Sequence, residues 1–144
     1  MLTVRDDIYI PAPPETVFSF LDAPERQPSF TPSLKESVLV ERLPTGGARA
    51  RYVYSLLGID FKGHVEATDY DPPRRIVWAL TGDLNGTIRW YVDAERTGTR
   101  FTYAATYQVP GPALLRPLLT PLVRRYNERE LRRLLSALKA QVAE

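Results

Sequence analysis

The sequence predicts an α+β fold: a curved antiparallel sheet of about seven strands wrapped around a long C-terminal helix, with short helices after the first strand. Three observations predict it. Runs rich in β-branched and aromatic residues recur through the middle of the chain, separated by turn signals. Those runs alternate between an apolar and a polar parity, as strands with one wet face do. Helical spacing of apolar residues appears only at the two ends.

Taken in order, "TVRDDIYI" (Thr3–Ile10) reads as the first strand. "PAPPETVFSFL" follows, with prolines before Glu15 and then Val17, Phe18 and Leu21 at helical spacing, so a short helix is predicted there. "LKESVLVER" (Leu34–Arg42) is the second strand. The breaks "LPTGGA", "LLGID", "DYDPPRR", "TGDLNG" and "ERTGTR" then separate "ARYVYSL", "FKGHVEATDY", "RIVWAL", "TIRWYVD" and "RFTYAATYQV". Connections this short join antiparallel neighbours, which makes the sheet a meander. Phe101, Tyr103, Ala105, Tyr107 and Val109 share one face, and Ile88, Trp90 and Val92 do the same in the preceding strand.

The C-terminal helix is predicted to begin near Pro121, with Thr120 as its N-cap, and to run to about Val142. Leu131, Leu134, Leu135, Leu138 and Val142 form one stripe, and its backward extension passes through Asn127 and Arg124. Leu115, Leu119, Leu122 and Tyr126 fall on another side, so the apolar face turns partway along. Only this helix is long enough to cover the apolar sheet face, and a curved sheet around one helix leaves a gap at one end. The predicted cavity is walled by Tyr52, Tyr54, Trp78, Trp90, Tyr103 and Tyr107 from the strands. Leu122, Arg124, Tyr126 and Asn127 face it from the helix. Phe30, Leu115, Leu118 and Leu119 are predicted to gate its mouth.

The totals set limits on function. At 144 residues with no cysteine, the chain has a single-domain length and excludes disulfides, thiol nucleophiles and thiolate metal sites. No apolar run approaches the ~18 residues of a spanning helix, and the charged N-terminus is unlike a signal peptide; a cytoplasmic protein is expected. Sixteen of the nineteen basic residues are arginine, while Asn, Gln and Met are scarce, a composition that fits a thermophilic source or a GC-rich genome. The net charge of +2 does not call for nucleic acid, and "RRYNERELRR" interleaves acids with its bases on a solvated face, so no nucleic-acid partner is expected. His64, the single histidine, lies on the polar parity beside Lys62 and Glu66, away from any pocket. Asp6 lies on the inward parity of the first strand but near the terminus, and an exposed strand end is the simpler reading. No catalytic residue, metal site or cofactor is therefore predicted.

The stretch "IYIPAPPETVFSFLDAPERQPSFTPSLKESVLVE" (Ile8–Glu41) resembles the opening of the START-like helix-grip superfamily, also called SRPBCC, which includes polyketide cyclase/dehydrase-like and lipid-transfer proteins. "WALTGDLNGTIRWYVDAERTGTRFTYAATY" is similar to its consecutive strands, and the tail to its closing helix. The resemblance spans nearly all of residues 1–144, as one domain. Gln27 stands where ubiquinone-binding relatives carry a tyrosine, so quinone binding is not carried over. The resemblance implies a hydrophobic ligand (a lipid, isoprenoid or polyketide-like ring), with a cyclase/dehydrase-like enzyme as the alternative. From the residues themselves, Leu114, Leu115, Leu118 and Leu119 beside Arg116 and Arg124 are expected to make transient contact with a membrane surface, in a monomer or homodimer.

Overall fold

The computed structural model describes residues 1–143. Seven strands form one antiparallel sheet: β1 (Leu2–Ile10), β2 (Leu34–Arg42), β3 (Ala48–Leu56), β4 (Ile59–Asp71), β5 (Arg75–Gly82), β6 (Gly86–Glu95) and β7 (Gly98–Tyr107). Their spatial order is β1-β7-β6-β5-β4-β3-β2. Strands β2 to β7 are the predicted meander, and β1 pairs along β7 from Leu2 opposite Tyr107 to Ile10 opposite Thr99. Between the two edge strands the chain crosses by α1 (Pro14–Leu21), a single 3₁₀ turn (Pro24–Arg26) and α2 (Gln27–Phe30). Register shifts in β2 and at Ala67/Asp69 of β4 supply the irregularities that bend a sheet.

The helix α3 (Arg116–Val142) closes the structure. It begins one turn earlier than the sequence predicts. Pro117 occupies its first turn, where a missing N–H costs nothing, and Leu115 is the N-cap. Pro121 is consequently internal, and Thr120 is no cap: its hydroxyl donates back to the Arg116 carbonyl at 2.7 Å.

The core is divided. The larger cluster joins Ile10, Val17, Phe18, Leu21, Phe30, Trp78, Trp90 and Phe101 to the predicted stripe Leu131, Leu134, Leu135, Leu138 and Val142. A smaller cluster joins Leu2, Leu56, Val109 and Val123, with Leu119 and Tyr126 packed on it. The strip of α3 between the two carries Asn127 and Glu130, which are polar.

Candidate functional site

Where the two clusters separate, the structure holds a cavity of about 130 Å³. Its sheet wall presents Tyr52 and Tyr54 of β3, Trp90 of β6 and Tyr103 and Tyr107 of β7, all on the inward parity. The helix contributes Asn127, Glu130, Leu131 and Leu134, and Gln27, Thr31 and Ser33 complete the wall from α2 and the loop after it. Small residues give the space its shape. Ala105, between Val4 and Ile88 in register, lines the wall where a larger side chain would enter the void.

Tyr52 and Tyr107 are held by hydrogen bonds. Tyr52 accepts from the Leu84 N–H at 3.3 Å and lies 3.2 Å from the Thr81 carbonyl. This geometry depends on Gly63: a Cβ there would lie 2.7 Å from the Tyr52 hydroxyl and collide with the Thr81 carbonyl. Tyr107 is fixed by a hydrogen bond from the Asn127 amide, which also reaches the Val123 carbonyl at 3.0 Å. The Tyr103 hydroxyl has no hydrogen-bond partner among the described residues. Burial pushes the Tyr54, Tyr103 and Tyr107 phenols well above their ordinary value. Neighbouring phenols add to the rise at each, while Ser33 offsets part of it at Tyr54 and Asn127 part of it at Tyr107. Tyr52 is also raised, chiefly by burial. All four are therefore neutral hydrogen-bonding groups at neutral pH.

At one side of the cavity lies a polar chain. Ser33 donates to Glu130 Oε2 at 3.1 Å and is 2.7 Å from the Tyr126 hydroxyl, which therefore donates to it. Glu130 Oε1 is 3.5 Å from Arg133 Nη1. Glu130 is 8% exposed, the one charged side chain in the cavity wall among the described residues.

Six of the ten predicted ligand-facing residues line the cavity: Tyr52, Tyr54, Trp90, Tyr103, Tyr107 and Asn127. The other four do not. Trp78 points inward but lies behind Trp90, edge-on to it at 5.6 Å, inside the larger cluster. Arg124 is exposed and donates to the Thr3 carbonyl at 3.0 Å, because the inward line runs from Asn127 back to Val123, four residues away, and not to Arg124. Leu122 is exposed, and Tyr126 stands behind Ser33. None of the four predicted gate residues lines the cavity. Phe30 is core, 5.8 Å from the Phe20 ring; Leu119 joins the smaller cluster; Leu115 and Leu118 face solvent. Glu130 was missed, since alternation with arginines places it on a solvated face. Its spacing from Asn127 and Leu134, three and four residues, is the signal that finds it. His64 lies off the cavity, and Asp6 is half-buried with its carboxylate accepting from the Asp7 N–H at 2.8 Å. Among the described residues no group of three His, Cys, Asp or Glu side chains is placed to hold a metal ion.

A curved seven-stranded sheet gripping a C-terminal helix beside a cavity defines the helix-grip fold. The chain belongs to the family described as polyketide cyclase/dehydrase and lipid transport, whose model matches residues 1–143. A Thermus thermophilus protein, TTHA0849, is 27% identical, with a TM-score of 0.85 and coverage of 98% of this chain and 97% of that one. A START superfamily protein from Mycobacterium smegmatis is 19% identical (TM-score 0.76, coverage 97% and 96%). The Zhui aromatase/cyclase from Streptomyces sp. R1128 is also 19% identical (TM-score 0.73, coverage 98% and 93%); these two likenesses show the fold alone. No curated protein matches the chain.

Proposed function

We propose that this protein is a cytoplasmic carrier or sensor that holds an apolar small molecule in the cavity between β3, β6, β7 and α3. The observation that carries the reading is the cavity itself. The fold leaves about 130 Å³ between the two apolar clusters, walled by five aromatic side chains. An apolar concavity with a few convergent polar groups supports a use in binding. The cyclase-like alternative needs a group in the wall that takes a proton, and the raised phenols are unsuited to that at neutral pH. Glu130 already accepts from Ser33 and pairs with Arg133, which favours holding over chemistry.

Loading is assigned to an anionic bilayer surface. Leu114, Leu115, Leu118 and Leu122 are 93%, 48%, 76% and 53% exposed at the start of α3. On the neighbouring β3–β4 hairpin, Leu57 and Ile59 are exposed as well, and Leu56 of that hairpin packs in the same cluster as Leu119 while also lining the cavity. Residues 110–126 contain Arg116, Arg124 and Arg125 and no acid. Leucines to insert and arginines to meet headgroups suit interfacial contact. Among the described residues no helix is long and apolar enough to cross a membrane.

Native mass spectrometry of freshly purified protein, followed by solvent extraction, tests the first part. A discrete apolar species released from the protein supports the carrier. Conversion of an added polyketide-like chain to a cyclised product overturns it in favour of the enzyme. Co-sedimentation with phosphatidylglycerol-containing vesicles, but not with pure phosphatidylcholine, tests the second.

A further inference from the structure

The proposed cavity carries a specific electrostatic signature. Among the described residues its wall contains one carboxylate, Glu130, and no lysine, arginine or histidine. A buried carboxylate is expensive, and a leucine or glutamine would pack at this helix position at lower cost. Its protein partners leave it incompletely satisfied. Ser33 supplies one donor at 3.1 Å, and Arg133, itself 61% exposed, supplies a 3.5 Å ion pair from the solvent side. An ionised carboxylate has about four acceptor positions. Ser33 has spent its only proton on Glu130, and Tyr126 donates to Ser33, so the relay fixes the carboxylate and delivers no further donor to it. Across the same space stands the Tyr103 hydroxyl, unpartnered among the described residues, with the faces and edges of Tyr54, Tyr107 and Trp90 around it.

Resting on the reading of the cavity as a binding site, we infer that Glu130 anchors the polar end of the ligand, which is an apolar ring or chain compound bearing a hydrogen-bond donor, either a hydroxyl or a protonated amine. A ligand carboxylate or phosphate is excluded from the same position. It would face Glu130 across the cavity with no cation in the wall to offset the repulsion. A protonated amine gains a second contribution, from the electron-rich faces of the surrounding rings. Fatty acids and acidic polyketide intermediates are thus poor ligands, and neutral alcohols and amines good ones.

Four probes with one apolar body test this by titration calorimetry at neutral pH: naphthalene, 2-naphthol, 2-naphthylmethylammonium and 2-naphthoate. On the natural protein the alcohol and the ammonium bind about tenfold or more tighter than naphthalene, as a hydrogen bond to a charged acceptor provides, and naphthoate binds more weakly than naphthalene. In Glu130→Gln the ammonium loses about tenfold relative to naphthalene, and naphthoate recovers to near naphthalene. Naphthalene that binds no differently from the donor-bearing probes overturns the anchor while leaving the cavity reading intact. An ammonium preference over naphthalene that survives Glu130→Gln overturns it too, and shows Glu130 to be a strut for Ser33. Failure of all four probes to bind overturns the cavity reading and the anchor with it. The ranking on the unaltered protein suffices if the variant does not fold.

Discussion

Filling the cavity from the sheet side is the sharpest test of its status. Ala105→Ile adds three carbons to a position that lines the void, on a central strand where a β-branched residue is favoured. Three carbons buried in the cavity of about 130 Å³, at ~0.8 kcal/mol each, contribute about 2 kcal/mol. Ordering the new side chain takes back ~0.5–1 kcal/mol, leaving a gain of about 1–2 kcal/mol. The assay is urea unfolding of protein stripped of any co-purified apolar molecule, since a bound ligand would stabilise only the natural protein. The midpoint should rise with the slope unchanged, and calorimetry should show naphthalene binding reduced at least tenfold. A variant that is destabilised by about 1 kcal/mol or more, and still binds naphthalene as before, would refute the reasoning. It would mean that the space at Ala105 is neither free nor used. Stability gained together with binding lost is the signature of a void kept for function.

Other outcomes follow from the same geometry. Gly63→Ala should destabilise the fold by about 1–3 kcal/mol in urea titrations, because its Cβ would displace the Tyr52 hydroxyl and the Thr81 carbonyl opposite. The buried phenols set an alkaline limit. Tyr54, Tyr103 and Tyr107 have folded pKa values above the unfolded value near 10, so their stabilising contribution is whole below pH 10 and is lost as pH rises through the folded values. Thermal scans should therefore show Tm falling above about pH 10, with Tyr54, Tyr103 and Tyr107 among the tyrosines whose ultraviolet ionisation is held back until unfolding. Leu57→Asn should cut sedimentation with anionic vesicles while leaving stability equal or slightly higher. Leu57 holds φ at 52° ahead of Gly58 at 81°, a two-residue turn that suits Asn better than an exposed leucine. Leu118→Glu should likewise weaken vesicle binding without altering naphthalene affinity, since Leu118 is 76% exposed and off the cavity wall.

Strand parity made the sheet and most of its cavity wall legible in the sequence. The side-chain period of a strand is 2, so knowing that Phe101 faces inward places Tyr103, Ala105 and Tyr107 without further information. Parity places a residue on a face but not along it. Trp78 and Trp90 share a face, yet one is packed behind the other, and only the register of Trp78 against Ala67 and Ile88 decides which reaches the void. Helical phase is less forgiving. The Leu131–Val142 stripe extends backward to Asn127, from which a step of three leads to Arg124 and a step of four to Val123; the second is buried and the first is not. The helix start was misplaced for a related reason. Two prolines lie within the first six residues of α3, and one proline at the first turn is enough to begin a helix, so Pro117 took the place expected of Pro121.

The cavity has its origin in the same helix. Downstream of Leu131 the inward positions are leucines, and they fill the larger cluster. At Val123 the inward position is apolar again and belongs to the smaller one. Between them Asn127 and Glu130 occupy the one turn that would otherwise insert a leucine between the clusters. Opposite that turn the sheet presents rings that end in hydroxyls, which can face a polar helix turn without cost but cannot close over it. The division of the core is therefore written into two residues of α3. Asn127→Leu with Glu130→Leu should merge the clusters, raise the urea midpoint and abolish binding of all four naphthalene probes. If both leucines are accommodated and naphthalene still binds, the void is set by sheet curvature, and the helix turn has no part in making it.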